Sequence, residues 1–203
     1  MRKFKLVRST PKAALAASIT SNVTDALLSL KRQGKLKVVT KRLNLEPSQA
    51  DNGAAHYRVV KNAAGQVIDY LDVTFRGYLS TFGTVDRDGD YVLPGAFKAS
   101  IPKFMDNPVL LADHENRVGC IAGKFTKVLE DAKGLYVEAV LSNSSEEWLI
   151  DLRWKVVELH ISALSVGGKF SYGRDGHAIT KVELYEGSLV PIPANPKALL
   201  IHD

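Results

Sequence analysis

The feature that most restricts the fold of this chain is a change of period. From about His56 onward, apolar residues recur at every second position in short runs, and clusters of Gly, Asn or Asp close each run. Only over residues 144–158 do they recur at clear helical spacing. Many short strands and one clear helix call for a sheet-built core. The expected class is therefore mainly β with peripheral helices (α+β), arranged as an antiparallel barrel. Residues 57–60 and 67–70 flank a turn at Asn62-Ala-Ala-Gly65, which predicts a hairpin. Residues 73–79 alternate Val73 and Phe75 with Thr74 and Arg76, the pattern of a half-buried strand. A polar loop follows over 83–95, then a short helix is expected around 96–104 and an apolar strand at 109–111. Residues 119–129 and 135–141 make a second hairpin, in which Gly134 is expected to supply a positive φ. In the helix at 144–158, Ser144 and Glu147 have capping-box spacing, and Trp148, Leu152, Val156 and Leu159 share one face. Strands return at 161–170 and 179–189.

Charge divides the chain. Residues 1–61 hold 13 Lys+Arg against 3 Asp+Glu, whereas the remainder holds 14 against 19. A basic arm of this kind fits an acidic partner or a solvated basic face equally well. One helix is expected there, Asp25-Ala-Leu-Leu-Ser-Leu-Lys-Arg32, capped by Thr24 or Ser21 and ended by Gly34. The polar stretch from Glu46 to Gly53 reads as a linker, so a domain boundary is expected at 50/51. The basic start followed by alanines looks superficially like an export signal, but Pro11 and Lys12 interrupt it. No apolar run approaches the ~18 residues of a membrane span. The arm lacks interleaved aromatics and any groove-reading motif, so no direct nucleic-acid role is expected. A single cysteine, Cys120, allows no intramolecular disulfide and no cysteine-based metal site; its apolar neighbours mark it as a small buried hydrophobe.

A serine nucleophile needs a base within reach and donors waiting for the oxyanion. Ala163-Leu-Ser165-Val-Gly-Gly168 places a serine in an apolar strand, followed closely by two glycines that permit a tight backbone. It is not the G-x-S-x-G elbow, since Ala163 stands at the first glycine position. On pattern alone an ordinary strand serine outweighs a nucleophile. Of five histidines, His114 follows an apolar strand and is flanked by Asp113 and Glu115; a surface loop histidine is the bland alternative. His160 reads as packing at the helix exit and His177 as a turn residue. Asp86-Arg-Asp-Gly-Asp90 departs from a calcium loop in its glycine position and carries Phe97 where a bidentate Glu belongs, so it reads as a turn whose aspartates cap backbone N–H groups.

Six segments in order complete the pattern: Phe75-Arg-Gly-Tyr78; Asp88-Gly-Asp90 with Leu93-Pro-Gly-Ala-Phe97; Leu110-Leu-Ala-Asp-His114-Glu115 leading to Gly119; Glu130-Asp131 with Gly134-Leu135; Leu164-Ser-Val-Gly167; and Glu186-Gly-Ser-Leu-Val-Pro191 running into Pro193-Ala-Asn-Pro196. Together, over about residues 73–198, they resemble the prohead proteases of tailed phages. The resemblance implies a fold akin to the herpesvirus assemblins, a largely antiparallel barrel surrounded by helices, with the protease domain over 51–203. It implies a serine endopeptidase that works inside the procapsid, in the host cytoplasm. Its partners there are scaffold protein and the capsid protein precursor, whose scaffolding segment it cuts, and it also cuts itself. It implies no cofactor, no metal and no membrane, and leaves a homo-oligomer open. Matched to the family, His114 is the base and Ser165 the nucleophile. Glu186 fits the third place best, while Asp113 and Glu115 compete but adjoin His114 and so project away from its ring. Val166, Gly167 and Gly168 are the oxyanion-hole candidates. Gly187 and Gly168 depart from a common branched and a common aromatic residue. Residues 1–50 would be a docking arm or an autocleaved propeptide. A catalytically inactive, scaffold-like assembly protein on the same fold is the rival reading.

Overall fold

One nine-stranded sheet organises residues 49–202, the part of the chain that the computed structural model describes. The arm expected over residues 1–50 lies almost wholly outside the described residues, and its helix wholly so. The elements are β1 (Gln49–Asp51), β2 (Ala55–Lys61), β3 (Val67–Thr81), β4 (Tyr91–Val92), α1 (Ile101–Phe104), β5 (Val109–Ala112), β6 (Ile121–Glu130), β7 (Gly134–Leu141), α2 (Glu147–Val157), β8 (Ala163–Tyr172) and β9 (Ala178–Val190). Strands follow the order β1-β2-β3-β7-β6-β5-β9-β4, and β8 pairs with β9.

The mainly β class with few helices is thus as expected, and most strand pairs are antiparallel. The sheet does not close, and β9 takes both β4 and β5 as parallel neighbours. A parallel pair needs a long crossover, and the β6–β7 hairpin, α2 and β8 supply it between β5 and β9.

Local chemistry explains the hairpins. Between β2 and β3, Asn62 Oδ1 accepts the N–H groups of Ala64 and Gln66, and Gly65 takes φ 80°. The two runs expected at 67–70 and 73–79 are one strand of 15 residues. Asp72 sits within it at φ 53°, held by Asn143 and Arg58, and that side-chain clamp hides the continuity from a period-two reading. Between β6 and β7, Asp131 Oδ1 accepts the N–H groups of Lys133 and Gly134. Gly134 does not take a positive φ; it is glycine because a side chain would overlap the Ser80 carbonyl of β3. Residues 83–95 are not all loop, since Tyr91–Val92 pairs with β9. The helix expected over 96–104 is confined to Ile101–Phe104.

Helix α2 starts at Glu147 with Glu146 as N-cap and no capping side chain, so the Ser144–Glu147 box does not form. Its buried face is Leu149, Leu152, Arg153, Val156 and Val157. Trp148 is only half-buried, and Leu159 is exposed at φ 62° beyond the helix. The stripe is rotated because a charged residue, Arg153, takes a core position that apolar periodicity assigns to solvent. The sheet's inner face and α2 bury one core that includes Phe75, Leu79, Phe97, Phe125, Leu164 and Leu189.

Candidate active site

Strand β9 organises the site. Glu186 and Ser188, two residues apart, project to the same face. On β8, Ser165 stands opposite Ser188, and Gly167 opposite Glu186. On the other edge of β9, Leu111 and Ala112 of β5 pair with Ser188 and Leu189. The chain leaving β5 therefore reaches Asp113 and His114 directly beside this row. Both adopt the left-handed backbone conformation, at φ 53° and 58°, which residues with side chains seldom take. Two bonds to β9 hold the turn: Asp113 N–H to the Leu189 carbonyl at 3.0 Å, and His114 N–H to Ser188 Oγ at 3.1 Å.

The His114 ring then meets Glu186, with Nδ1 to Oε1 at 2.6 Å. The other carboxylate oxygen, Oε2, accepts the Ser188 hydroxyl at 2.6 Å. Glu186 is 13% exposed, Ser165 9% and Ser188 0%. The carboxylate fixes the tautomer: Nδ1 carries the proton and Nε2 keeps the lone pair. That hydrogen bond, aided by the charges of Glu186 and Asp113, raises the His114 pKa above its ordinary value against the opposing effect of burial. His114 and Ser165 line one cavity of about 260 Å³, together with Val166, Asp86, Tyr172 and Asn195. No direct hydrogen bond joins Ser165 Oγ to the imidazole; such contacts commonly tighten only around substrate.

Gly167 is what lets the carboxylate sit there, because a side chain at this position would overlap Glu186 Oε1. The obstructed group is the far end of a flexible side chain, so Gly167→Ala is expected to displace Glu186 without unfolding the sheet. The contact on His114 Nδ1 should weaken, so the His114 pKa should fall back towards its ordinary value, read by NMR titration, with an unchanged circular dichroism spectrum. An unmoved titration would mean that Gly167 is not what lets the carboxylate reach the ring.

Val166 lines the cavity; Gly167 faces Glu186; Gly168 lies at a bulge, where the Glu183 carbonyl leaves no room for a side chain. Gly187 makes room for the Phe125 ring and Leu79. Glu115 pairs with Arg117 at 2.8 Å, and no hydrogen bond joins Asp113 or Glu115 to the His114 ring. Asp86 Oδ1 accepts the N–H groups of Asp88 and Asp90, as a capping aspartate should. His177 sits in the β8–β9 turn against Asp90 at 3.2 Å, and His160 is exposed near Glu158. Cys120 is half-buried in a short 3-10 turn instead of fully buried. Ser188 was missed. Its two-residue spacing from Glu186 within a strand was the available signal.

The family model described as caudovirus prohead serine protease matches residues 66–201. The prohead protease of Enterobacteria phage HK97 is 32% identical over 132 residues, which is 61% of this chain and 57% of that protein. Among solved structures, the bacteriophage T4 capsid assembly protease has a similar fold, at TM-score 0.50 and 10% identity over 66% of this chain and 89% of that one. Likeness to the varicella-zoster virus protease is looser, at TM-score 0.38 and 13% identity over 57% of this chain and 56% of that one.

Proposed function

The chain belongs to the caudovirus prohead serine protease family, and on that premise we propose that it is a serine endopeptidase of capsid maturation. Ser165 is the nucleophile, His114 the general base and Glu186 the orienting carboxylate. The observation that carries the reading is the 2.6 Å contact between His114 Nδ1 and Glu186, made beside the cavity that Ser165 shares.

In the proposed cycle, Ser165 Oγ attacks the scissile carbonyl as its proton passes to His114 Nε2. The imidazolium is stabilised by Glu186 and gives that proton to the leaving amine as the C–N bond breaks. Water, deprotonated by the same imidazole, hydrolyses the acyl-enzyme. N–H groups between Val166 and Gly168 receive the oxyanion; losing one such donor would cost about 3 kcal/mol of transition-state stabilisation. Val166 supports this assignment best, since it lines the cavity.

The proposed substrates are scaffold protein and the scaffolding segment of the capsid protein, cut inside the procapsid in the host cytoplasm, and the enzyme itself. Residues 1–50 are read as a docking arm or propeptide and 51–203 as the protease domain. We read the sheet as barrel-like. Supporting this, Ala198 and Leu200 bond to the backbone at Leu164 and Ser162, while Leu199 and Ile201 bond to Tyr78 and Arg76 of β3. Gly77 permits that crossing, since a side chain there would lie 2.7 Å from the Leu199 carbonyl.

A fluorophosphonate tests the nucleophile, since it reacts with a serine that an imidazole activates. Incubated with the purified chain, it should leave a single adduct on Ser165, located by tandem mass spectrometry, and stop cleavage of the capsid protein precursor. Cleavage that continues with Ser165 fully modified would overturn the assignment.

A further inference from the structure

We propose that Ser188 is a positioning residue, whose hydroxyl ties the backbone of His114 to the carboxylate of Glu186 and so aims the imidazole at Ser165. The inference rests on the triad reading above and adds a fourth group to it.

A serine hydroxyl has one proton to give and two lone pairs to receive with. Here the proton goes to Glu186 Oε2 at 2.6 Å, and a lone pair takes the His114 N–H at 3.1 Å. With the bond from His114 Nδ1 to Glu186 Oε1, these contacts close a ring through three residues. Ser188 is fully buried, so water does not compete for its hydroxyl. Each bond has a distinct consequence. A carboxylate held by one oxygen can rotate about its terminal bond, whereas one held by both has its plane fixed. His114 and Asp113 occupy left-handed backbone conformations, and Ser188 Oγ and the Leu189 carbonyl receive their N–H groups. Removing the hydroxyl takes one of two bonds from the carboxylate and one of the two that hold the turn to β9. The bland alternative is a core serine that satisfies its neighbours and matters only for stability. What distinguishes the two is that both partners of Ser188, His114 and Glu186, belong to the proposed triad.

The charged groups around His114 are Glu186 on β9, Asp113 in its own turn, and Asp86, Asp88 and Asp90 around the shared cavity. Ser188→Ala changes none of them, so a moved titration reports the Glu186 contact itself. Cleavage needs the unprotonated imidazole, so the rate rises with pH. In the unaltered chain the half-maximal point should lie above the ordinary imidazole value of about 6.5, because the Glu186 contact favours the protonated ring.

The test measures kcat, KM and the acid limb of the pH–rate profile on a peptide spanning a capsid precursor cleavage site, for the unaltered chain, Ser188→Ala, Ser188→Thr and Ser165→Ala. The proposal expects Ser188→Ala to lose about 10- to 100-fold in kcat, with KM within about twofold and the acid limb moved down towards 6.5. Ser188→Thr, which keeps the hydroxyl, should recover most of the rate. A Ser188→Ala protein with normal kcat overturns the proposal, and so does one that is slow with an unmoved acid limb. If alanine prevents folding, Ser188→Cys, a weaker donor of similar size, is judged by the same two criteria. Undiminished cleavage by Ser165→Ala would instead overturn the triad reading itself, so the two failures are separable.

Discussion

Ser165→Ala is expected to lower kcat/KM for the proposed substrate, the capsid precursor, by at least about 10⁴-fold, while moving the melting temperature by no more than about 2 °C. The two halves of this expectation have different causes. The alanine variant lacks the oxygen that forms the acyl-enzyme bond in the proposed mechanism, so that route is closed and only the polarising effect of the site remains. Stability should be untouched because the Ser165 hydroxyl donates to no other side chain among the described residues, whereas the clamp of His114, Glu186 and Ser188 is complete without it. The backbone pairing of Ser165 with Ser188 survives the substitution as well. Because nucleophile and base act as one unit, His114→Ala added to Ser165→Ala should cost little more than either alone. Rates from the single and double variants, with thermal melts for each, check both halves. A double variant slower than Ser165→Ala by a further 10³-fold would mean that the two residues act in separate steps.

The candidate site was legible through the resemblance, carried by short segments ordered along the chain, and not through local pattern, which reads Ser165 as an ordinary strand serine and His114 as a loop histidine. Several of these segments are structural joints. Glu130 Oε1 receives the Phe97 N–H at 2.6 Å, Asp131 caps its turn and binds the Tyr78 hydroxyl, and Asn195 ties its loop to Thr81. The meeting of His114 with Glu186 was not available from local pattern. It depends on β5 and β9 lying side by side and parallel, a consequence of a crossover longer than any periodicity window. The same limit hid the open sheet order and the brief β4. Expectations failed where a side chain overrode the period, as at Asp72 in β3 and Arg153 in α2. They failed also where a glycine serves close approach and not a turn, as at Gly134. Gly167 combines both lessons: it reads as backbone freedom, yet its function is the empty space that Glu186 fills.

Asp69→Ala is expected to destabilise the domain by about 3–5 kcal/mol, a fall in melting temperature on the order of 10 °C, and to do so without touching the site. Arg153 is fully buried, and its guanidinium cannot shed its proton to escape. It is held by Asp69 through two bonds, Nε to Oδ1 at 3.0 Å and Nη2 to Oδ2 at 2.6 Å, and its Nη1 donates to the Ser142 and Ser144 carbonyls. These contacts tie α2 and the segment before it to β3. Removing the aspartate leaves a cation in the core with two carbonyls as its remaining acceptors. Replacing both partners avoids that penalty, since the desolvation cost of the pair disappears with the charges. The double variant Asp69→Leu/Arg153→Met should therefore recover more than half of the loss, measured as chemical denaturation midpoints at constant slope. If Asp69→Ala and Arg153→Met were each mild and their effects simply added, the pair would be an incidental surface-like contact. Strong coupling would instead mark it as the polar pin that sets how α2 packs against the sheet carrying Ser165, Glu186 and Ser188.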